Sequence, residues 1–375
     1  MRRDRIVEAQ NACELGRAWF GDGAVPARSL VAGREASLDD ALGAVARMLL
    51  EAKRPLIYLA PDLTCEAQRE TIAMADALHA TIDSVTSATA LPAILAAQEQ
   101  GRASATLGEI RNRADVLVFW GIDPMARYPR YWSRYAPEPA GVHVLEGRES
   151  RKVIAVDIGD SRGPADADVR VAISAEDEVP TLRAFESSAL APHLTDAKYV
   201  AFVADAEPQD HRDPGRAAAL IALTQRLNGQ TRCALSTLRA GGNRSGADAC
   251  LTSQTGYPTA VDFARGYPRY RPYDGTAAAR LARGDADAIL VVGSAASVPE
   301  TVASATRVPH AAIGPRATDS GFAAGRAAID TAVAGIHEAG TALRMDDVPL
   351  PVRKCLEGPP GARDTVRALR RRISQ

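Results

Sequence analysis

The sequence predicts an α/β fold with two doubly wound, Rossmann-like lobes, and three observations predict it. Short apolar runs alternate with amphipathic stretches of about 10–15 residues, the spacing of strand–helix–strand units. Runs such as PLIYLA (55–60) and VLVFW (116–120) show no polar alternation. They read as strands buried on both faces, as strands of mainly parallel sheets are. The chain has 375 residues, 46% hydrophobic and 24% charged, which suits two or three domains of roughly 100–200 residues each.

The elements follow in order. Pro55 to Ala60 is the first strand. Asp62 and Thr64 are candidate helix caps, and the run behind them sets Ile72, Ala75 and Leu78 on one helical face. Ala80 to Val85, Val116 to Trp120, Val153 to Ile158 and Val169 to Ile173 are the next strands. A helix is expected from Ser174, with Glu176 and Asp177 in its first turn, where acids suit the positive end. The alternation then repeats: strand Tyr199 to Ala204, helix Gly215 to Asn228, and strands Thr231 to Thr237, Ala288 to Val292 and Ala311 to Gly314. The C-terminus is a basic helix with Val366, Leu369 and Ile373 on one face. It reads as a helix that docks on a protein surface.

Composition excludes several classes. The 45 basic and 46 acidic residues cancel, so no nucleic-acid partner is expected. No run reaches the roughly 18 apolar residues of a membrane span. MRRDRIVEAQN has no apolar run behind its charges and does not read as a secretory signal. Five scattered cysteines without a C-x-x-C pair suggest neither a disulfide framework nor a zinc or iron–sulfur site. Isolated thiols fit a reduced, cytoplasmic protein.

No complete catalytic constellation can be read. Gly241-Gly242-Asn243-Arg244-Ser245-Gly246 follows a strand, where backbone N–H groups could face a phosphate. It is neither G-x-G-x-x-G nor a P-loop, so it reads as a tight turn, with a relict phosphate site as the alternative. His211 lies in the proline-flanked PQDHRDP and reads as a loop residue. His337-Glu338 lacks the second histidine of a zinc motif, and there is no G-x-S-x-G elbow. Seven of the nine tyrosines fall in two segments, each containing YPRY: Tyr128, Tyr131 and Tyr135, then Tyr257, Tyr267, Tyr270 and Tyr273. These are expected loops, either contact surfaces or seals on the edge of a lobe.

An ordered set of segments carries a resemblance. It comprises NACELGRAWF (11–20), TCEAQRE through TIDSVTS (64–87), TLGEIRNRADVLVFWGIDPM (106–125), YPRYWSRY, GGNRSGAD, TGYPTAVDFARGYPRY and GTALRMDDVPLPVRK (340–354). Together these resemble the B subunit of formylmethanofuran dehydrogenase, a relative of the molybdopterin-dependent oxidoreductases. The resemblance implies a tungsten or molybdenum bis-pterin and a four-iron cluster. The departures are specific. The upstream cluster cysteines are not present, leaving Cys13 as a relict cluster position. Thr89 and Ala90 stand where the family has its metal-ligating cysteine and the following histidine. Neither supplies a soft thiolate.

The resemblance therefore points to the bacterial branch, a formyltransferase/hydrolase complex of methylotrophic one-carbon metabolism. It implies a cytoplasmic, non-catalytic structural subunit with no cofactor of its own. Its expected partners are the formyltransferase, an amidohydrolase-type hydrolase and the C subunit, with zinc and methanofuran used by those subunits. The complex would convert formyl-tetrahydromethanopterin to formate through a methanofuran analogue. The alternatives are an active dehydrogenase subunit holding a metal pterin, or a methanofuran-binding module. Thr89, Gly241, Gly242, Asn243, Gly246, Tyr267 and Tyr270 are the expected remnants of the old cofactor cleft. The implied domain plan is an N-terminal remnant (1–35), a discontinuous lobe (36–85 with 176–335), an inserted lobe (86–175) and a C-terminal tail (336–375).

Overall fold

The computed structural model describes residues 5–21, 25, 27–207 and 213–375. The chain forms two compact units, residues 1–88 with 241–375, and residues 89–240. His211 lies outside the described residues.

In the first unit, five central strands run parallel in the order Thr81–Ser84, Pro55–Leu59, Ala288–Val292, His310–Gly314, Ala327–Asp330. Antiparallel additions flank them: Val261–Asp262 and Arg269–Tyr270 on one edge, Ser29–Val31 and Arg34–Glu35 on the other. The pleat sends alternate side chains to opposite faces. Ile57, Leu59, Leu290 and Ile313 pack with helices Leu38–Glu51, Cys65–Ala77, Arg244–Thr255 and Ala362–Ile373. Leu56, Tyr58, Ile289 and Val291 pack beneath helices Ala277–Ala282 and Glu300–Ala303 with Phe322. Burial on both faces is what made these strands read as unbroken apolar runs.

The second unit is an all-parallel sheet in the order Val169–Ile173, Lys152–Ile158, Val116–Trp120, Tyr199–Asp205, Arg232–Leu238. The α/β class and mainly parallel sheets are therefore as expected, but the domain boundaries are corrected. Residues 199–205 and 232–238 pair within the sheet of Val116–Trp120, so residues 176–240 belong to the inserted unit. Residues 29–35 and 362–373 likewise build the first unit and are not separate segments. A hydrophobic run alone does not tell which sheet it joins.

Local signals mostly hold. Thr64 is the N-cap of helix Cys65–Ala77, its hydroxyl accepting from the Ala67 N–H at 3.2 Å. The helix expected at Ser174 starts only at Glu178. Ser174 instead closes a turn, its Oγ accepting from the Asp177 N–H at 3.2 Å, a competition typical of serine. The C-terminal helix docks on its own chain through buried Val366 and Leu369. Arg367 and Arg370 reach Glu70 at 2.7 and 3.1 Å. Such half-exposed pairs each contribute at most about 1 kcal/mol, so the apolar stripe is the anchor. Glu338 takes a capping role there, accepting from the Ala362 and Arg363 N–H groups.

The tyrosine segments divide. Tyr131 is buried edge-on to Phe119, and Tyr128 donates to the Arg239 carbonyl, so the first segment seals its unit. Tyr131 begins a short helix, Tyr131–Arg134, where a loop was expected. In the second, Tyr257 stacks on Tyr270 at 5.0 Å, while Tyr267 and Tyr273 are exposed.

Candidate functional site

Strand order in the first sheet reverses between Pro55–Leu59 and Ala288–Val292. Open α/β sheets bind ligands outside the carboxyl ends of their strands at such a switch point. Here the chain leaves Leu59 through Ala60, Pro61 and Asp62, and leaves Val292 through Gly293 and Ser294. The two exits are tied by the Ala60 N–H to Val292 carbonyl bond at 2.8 Å and the Ser294 N–H to Pro61 carbonyl bond at 2.9 Å. Gly293, at φ +114°, lies so close that a Cβ would stand 2.6 Å from the Ala60 carbonyl oxygen.

The glycine turn 241–246 packs on this crossing. Gly242 has φ +84°, and its carbonyl accepts the Asp62 N–H at 2.8 Å. Asn243 is left-handed at φ 59°. Its Nδ2 donates to the Leu63 carbonyl at 2.7 Å, and its Oδ1 accepts the Leu343 N–H at 2.7 Å. Gln68 Nε2 donates to its backbone carbonyl at 3.0 Å. Asn243 thus fastens the strand exit, helix Cys65–Ala77 and the hairpin Gly340–Leu343/Pro349–Val352 together. Thr341 adds bonds to Glu66 at 2.8 and 2.9 Å.

Beside this junction lies a cavity of about 530 Å³. Its lining includes Trp19, Phe20, Leu63, Ala342 and Val352, with Asp62, Asn243 and Arg353 as polar members. Asp62 is not the helix cap the sequence suggested. It occupies a left-handed conformation at φ 75° and is half-buried. Burial raises its carboxyl above the ordinary range, against Arg244 and a hydrogen bond from Ser294. Just behind the turn, Cys65 is buried at the first position of its helix. Its thiol is drawn down to about 7, chiefly through its hydrogen bond with Cys250.

Of the expected cleft residues, Gly242 and Asn243 line this cavity; Gly241, Gly246, Thr89, Tyr267 and Tyr270 do not. Gly246 supports the turn from within its helix, and Tyr267 and Tyr270 belong to the hairpin at the sheet edge. Thr89 ends the short helix Val85–Thr89 where the chain enters the second unit. Cys13 precedes helix Glu14–Gly21, which contributes Trp19 and Phe20. Sequence reasoning missed Asp62, Trp19, Phe20 and Arg353. Trp19, Phe20 and Arg353 lay in segments that carry the resemblance, and Asp62 was an acid just beyond a buried strand.

The turn yields a direct prediction. A Cβ on Gly246 would stand 2.1 Å from Asn243 Oδ1. Gly246→Ala therefore forces the Asn243 side chain off its Leu63 and Leu343 partners. Two lost hydrogen bonds with partly buried partners correspond to about 2–3 kcal/mol, read as a lowered midpoint in urea unfolding. An unchanged midpoint would mean that the turn is not fastened this way.

A metal pterin would find the Asn243 amide at the switch point already engaged by Leu63 and Leu343. Thr89 and Ala90 offer no thiolate, and among the described residues no three His, Cys, Asp or Glu side chains are grouped to hold a metal ion. In the second unit the polar groups at the strands' carboxyl ends pair with each other: Arg127 with Asp205, Arg239 with Glu207, and Arg216 with Glu178.

Comparison with known proteins completes the picture. No protein-family model matches the chain. It is 31% identical to the B subunit of the tungsten-containing formylmethanofuran dehydrogenase 2 of Methanococcus maripaludis, over 96% of this chain and 91% of the relative. It is 33% identical to the protein of the same name from Methanocaldococcus jannaschii, over 96% and 90%. Its fold matches a chain in the crystal structure of the formyltransferase/hydrolase complex (FhcABCD) from Methylorubrum extorquens with methylofuran. The TM-score is 0.79 at 23% identity, covering 92% of this chain and 98% of that one. Identity at this level along nearly the whole chain settles the family: the chain belongs to the family of formylmethanofuran dehydrogenase B subunits.

Proposed function

We propose that the chain is a non-catalytic structural subunit of a cytoplasmic formyltransferase/hydrolase complex. The complex would move a formyl group from formyl-tetrahydromethanopterin to a methanofuran analogue and release it as formate. The formyltransferase and a zinc-dependent, amidohydrolase-type hydrolase would carry the chemistry, alongside the C subunit. What carries the reading is Thr89 and Ala90, which the resemblance sets at the position of the family's metal-ligating cysteine and histidine. A hydroxyl or methyl group gives tungsten no soft donor. The fold match to a chain of FhcABCD supports the assembly. On this reading the switch-point hydrogen bonds serve to hold a rigid platform.

The intact complex is expected to release formate while containing neither stoichiometric tungsten or molybdenum nor iron–sulfur absorbance. Elemental analysis and a visible spectrum of the purified complex check this. One tungsten or molybdenum per copy of this chain would overturn the proposal.

A further inference from the structure

The cavity beside the switch point has the features of a ligand site in its own right. Its volume of about 530 Å³ falls in the range of roughly 300–1,000 Å³ that small-molecule sites occupy. Its wall is mostly apolar, with Trp19 and Phe20 from helix Glu14–Gly21 on one side and Ala342, Pro351 and Val352 from the hairpin on another. Such a wall selects an apolar or aromatic body and not a polyanion.

The polar lining sets the charge of the ligand. Asp62 is the acid in it, and its backbone N–H is spent on Gly242. The carboxyl group takes a hydrogen bond from Ser294, which leaves further acceptor capacity on its two oxygens. Asn243 is held by Leu63 and Leu343 and offers little to a newcomer. Arg353, the other charge, is exposed, so water and salt screen its repulsion of a bound cation. Arg244 and the Ser294 hydrogen bond offset the burial of this carboxylate only in part, and a cation carried on an apolar body would complete the compensation.

We propose that this cavity binds an amphipathic amine, with its aromatic or aliphatic body against Trp19, Phe20 and Val352 and its ammonium group paired with Asp62. The inference stands on the cavity alone and does not depend on the scaffold reading.

Calorimetric titration of the purified protein with three probes of one shape tests it: 2-phenylethylamine, 2-phenylethanol and 3-phenylpropanoate. The amine should bind at least about tenfold more tightly than the alcohol, and the acid more weakly than either. Asp62→Asn keeps the shape and suits the left-handed backbone. It should bring the amine to the affinity of the alcohol and leave the alcohol unchanged. Ala342→Trp, or Val352→Trp if the first variant fails to unfold cooperatively, should abolish binding of all three. The proposal fails if the alcohol or acid binds as well as the amine. It also fails if Asp62→Asn keeps the preference, or if none of the three binds saturably to the unaltered protein.

Discussion

Asp83→Asn should destabilise the first unit by about 2–4 kcal/mol, the range for orphaning donors around a buried hydrogen-bonded carboxylate. Asp83 is the third residue of strand Thr81–Ser84 and is fully buried. Its Oδ1 accepts from Thr259 Oγ1 at 2.7 Å and the Ala260 N–H at 3.1 Å. Its Oδ2 accepts from Ser87 Oγ at 2.6 Å and the Ala277 N–H at 2.6 Å. One side chain therefore pins the strand, the helix that follows it, the 259–260 loop and the start of helix Ala277–Ala282. An amide has one accepting oxygen, so its NH2 must face a backbone N–H wherever it turns. The hydroxyls of Thr259 or Ser87 can rotate to accept, but the N–H groups cannot. Burial pushes the Asp83 carboxyl above its ordinary range, against the opposing bonds from Ala277, Ser87 and Thr259. The sign follows from the raised pKa: the folded state holds this proton more tightly than the unfolded chain does. The charged form carries a desolvation penalty at neutral pH, and that penalty is relieved as pH falls through the raised value. Asparagine does not titrate, and the remaining carboxylates act alike in both proteins. The gap in stability between wild type and Asp83→Asn should therefore widen from neutral to mildly acidic pH. Urea unfolding of both proteins reads the gap; one that narrows on acidification contradicts this account.

The same residue shows how far the sequence could be read. IDS in TIDSVTS was visible as a strand end and as part of the family resemblance, and the apolar runs around it were legible because parallel strands are buried on both faces. Helix Ala362–Ile373 was legible for a similar reason, its apolar stripe standing out among arginines. What stayed hidden depends on contacts between distant segments. Asp83 meets residues 259, 260 and 277, and Asn243 meets residues 63 and 343. No local pattern marks such partners. The domain boundary was misplaced for the same reason, because strands 199–205 and 232–238 look alike whichever sheet they extend. The candidate cavity was half legible: the glycine turn was singled out, whereas Trp19, Phe20 and Arg353 lay in the resembling segments 11–20 and 340–354 with nothing to show that they meet at one cavity.

The second large effect is expected in the second unit, at a buried ion pair. Glu178 Oε1 accepts from Arg216 Nε at 2.7 Å and from Trp120 Nε1 at 2.8 Å. Arg216 also donates to the carbonyl of Asp205 at 3.0 Å, at the end of the strand beside Val116–Trp120. Side-chain exposures of 6% and 2% put both charges out of water. Removing one partner strands the other, so Glu178→Met should cost about 3–5 kcal/mol, and Arg216→Met a similar amount. Removing both changes the sign of the argument. The double variant buries no charge, gains apolar contact with a cluster containing Val179, Leu182 and Leu220, and keeps two penalties. The Trp120 N–H loses its acceptor and the Asp205 carbonyl loses the Arg216 donor, worth about 1–3 kcal/mol each at most. Glu178→Met/Arg216→Met should therefore be more stable than either single variant, a non-additivity that a double-mutant cycle measures directly. Additive losses would show that the two side chains act separately, and that the ion pair is not what closes the carboxyl end of this sheet. The result bears on function as well. An ion pair that joins the carboxyl end of this sheet to helix Arg216–Leu227 is a structural joint, in keeping with the scaffold role proposed above.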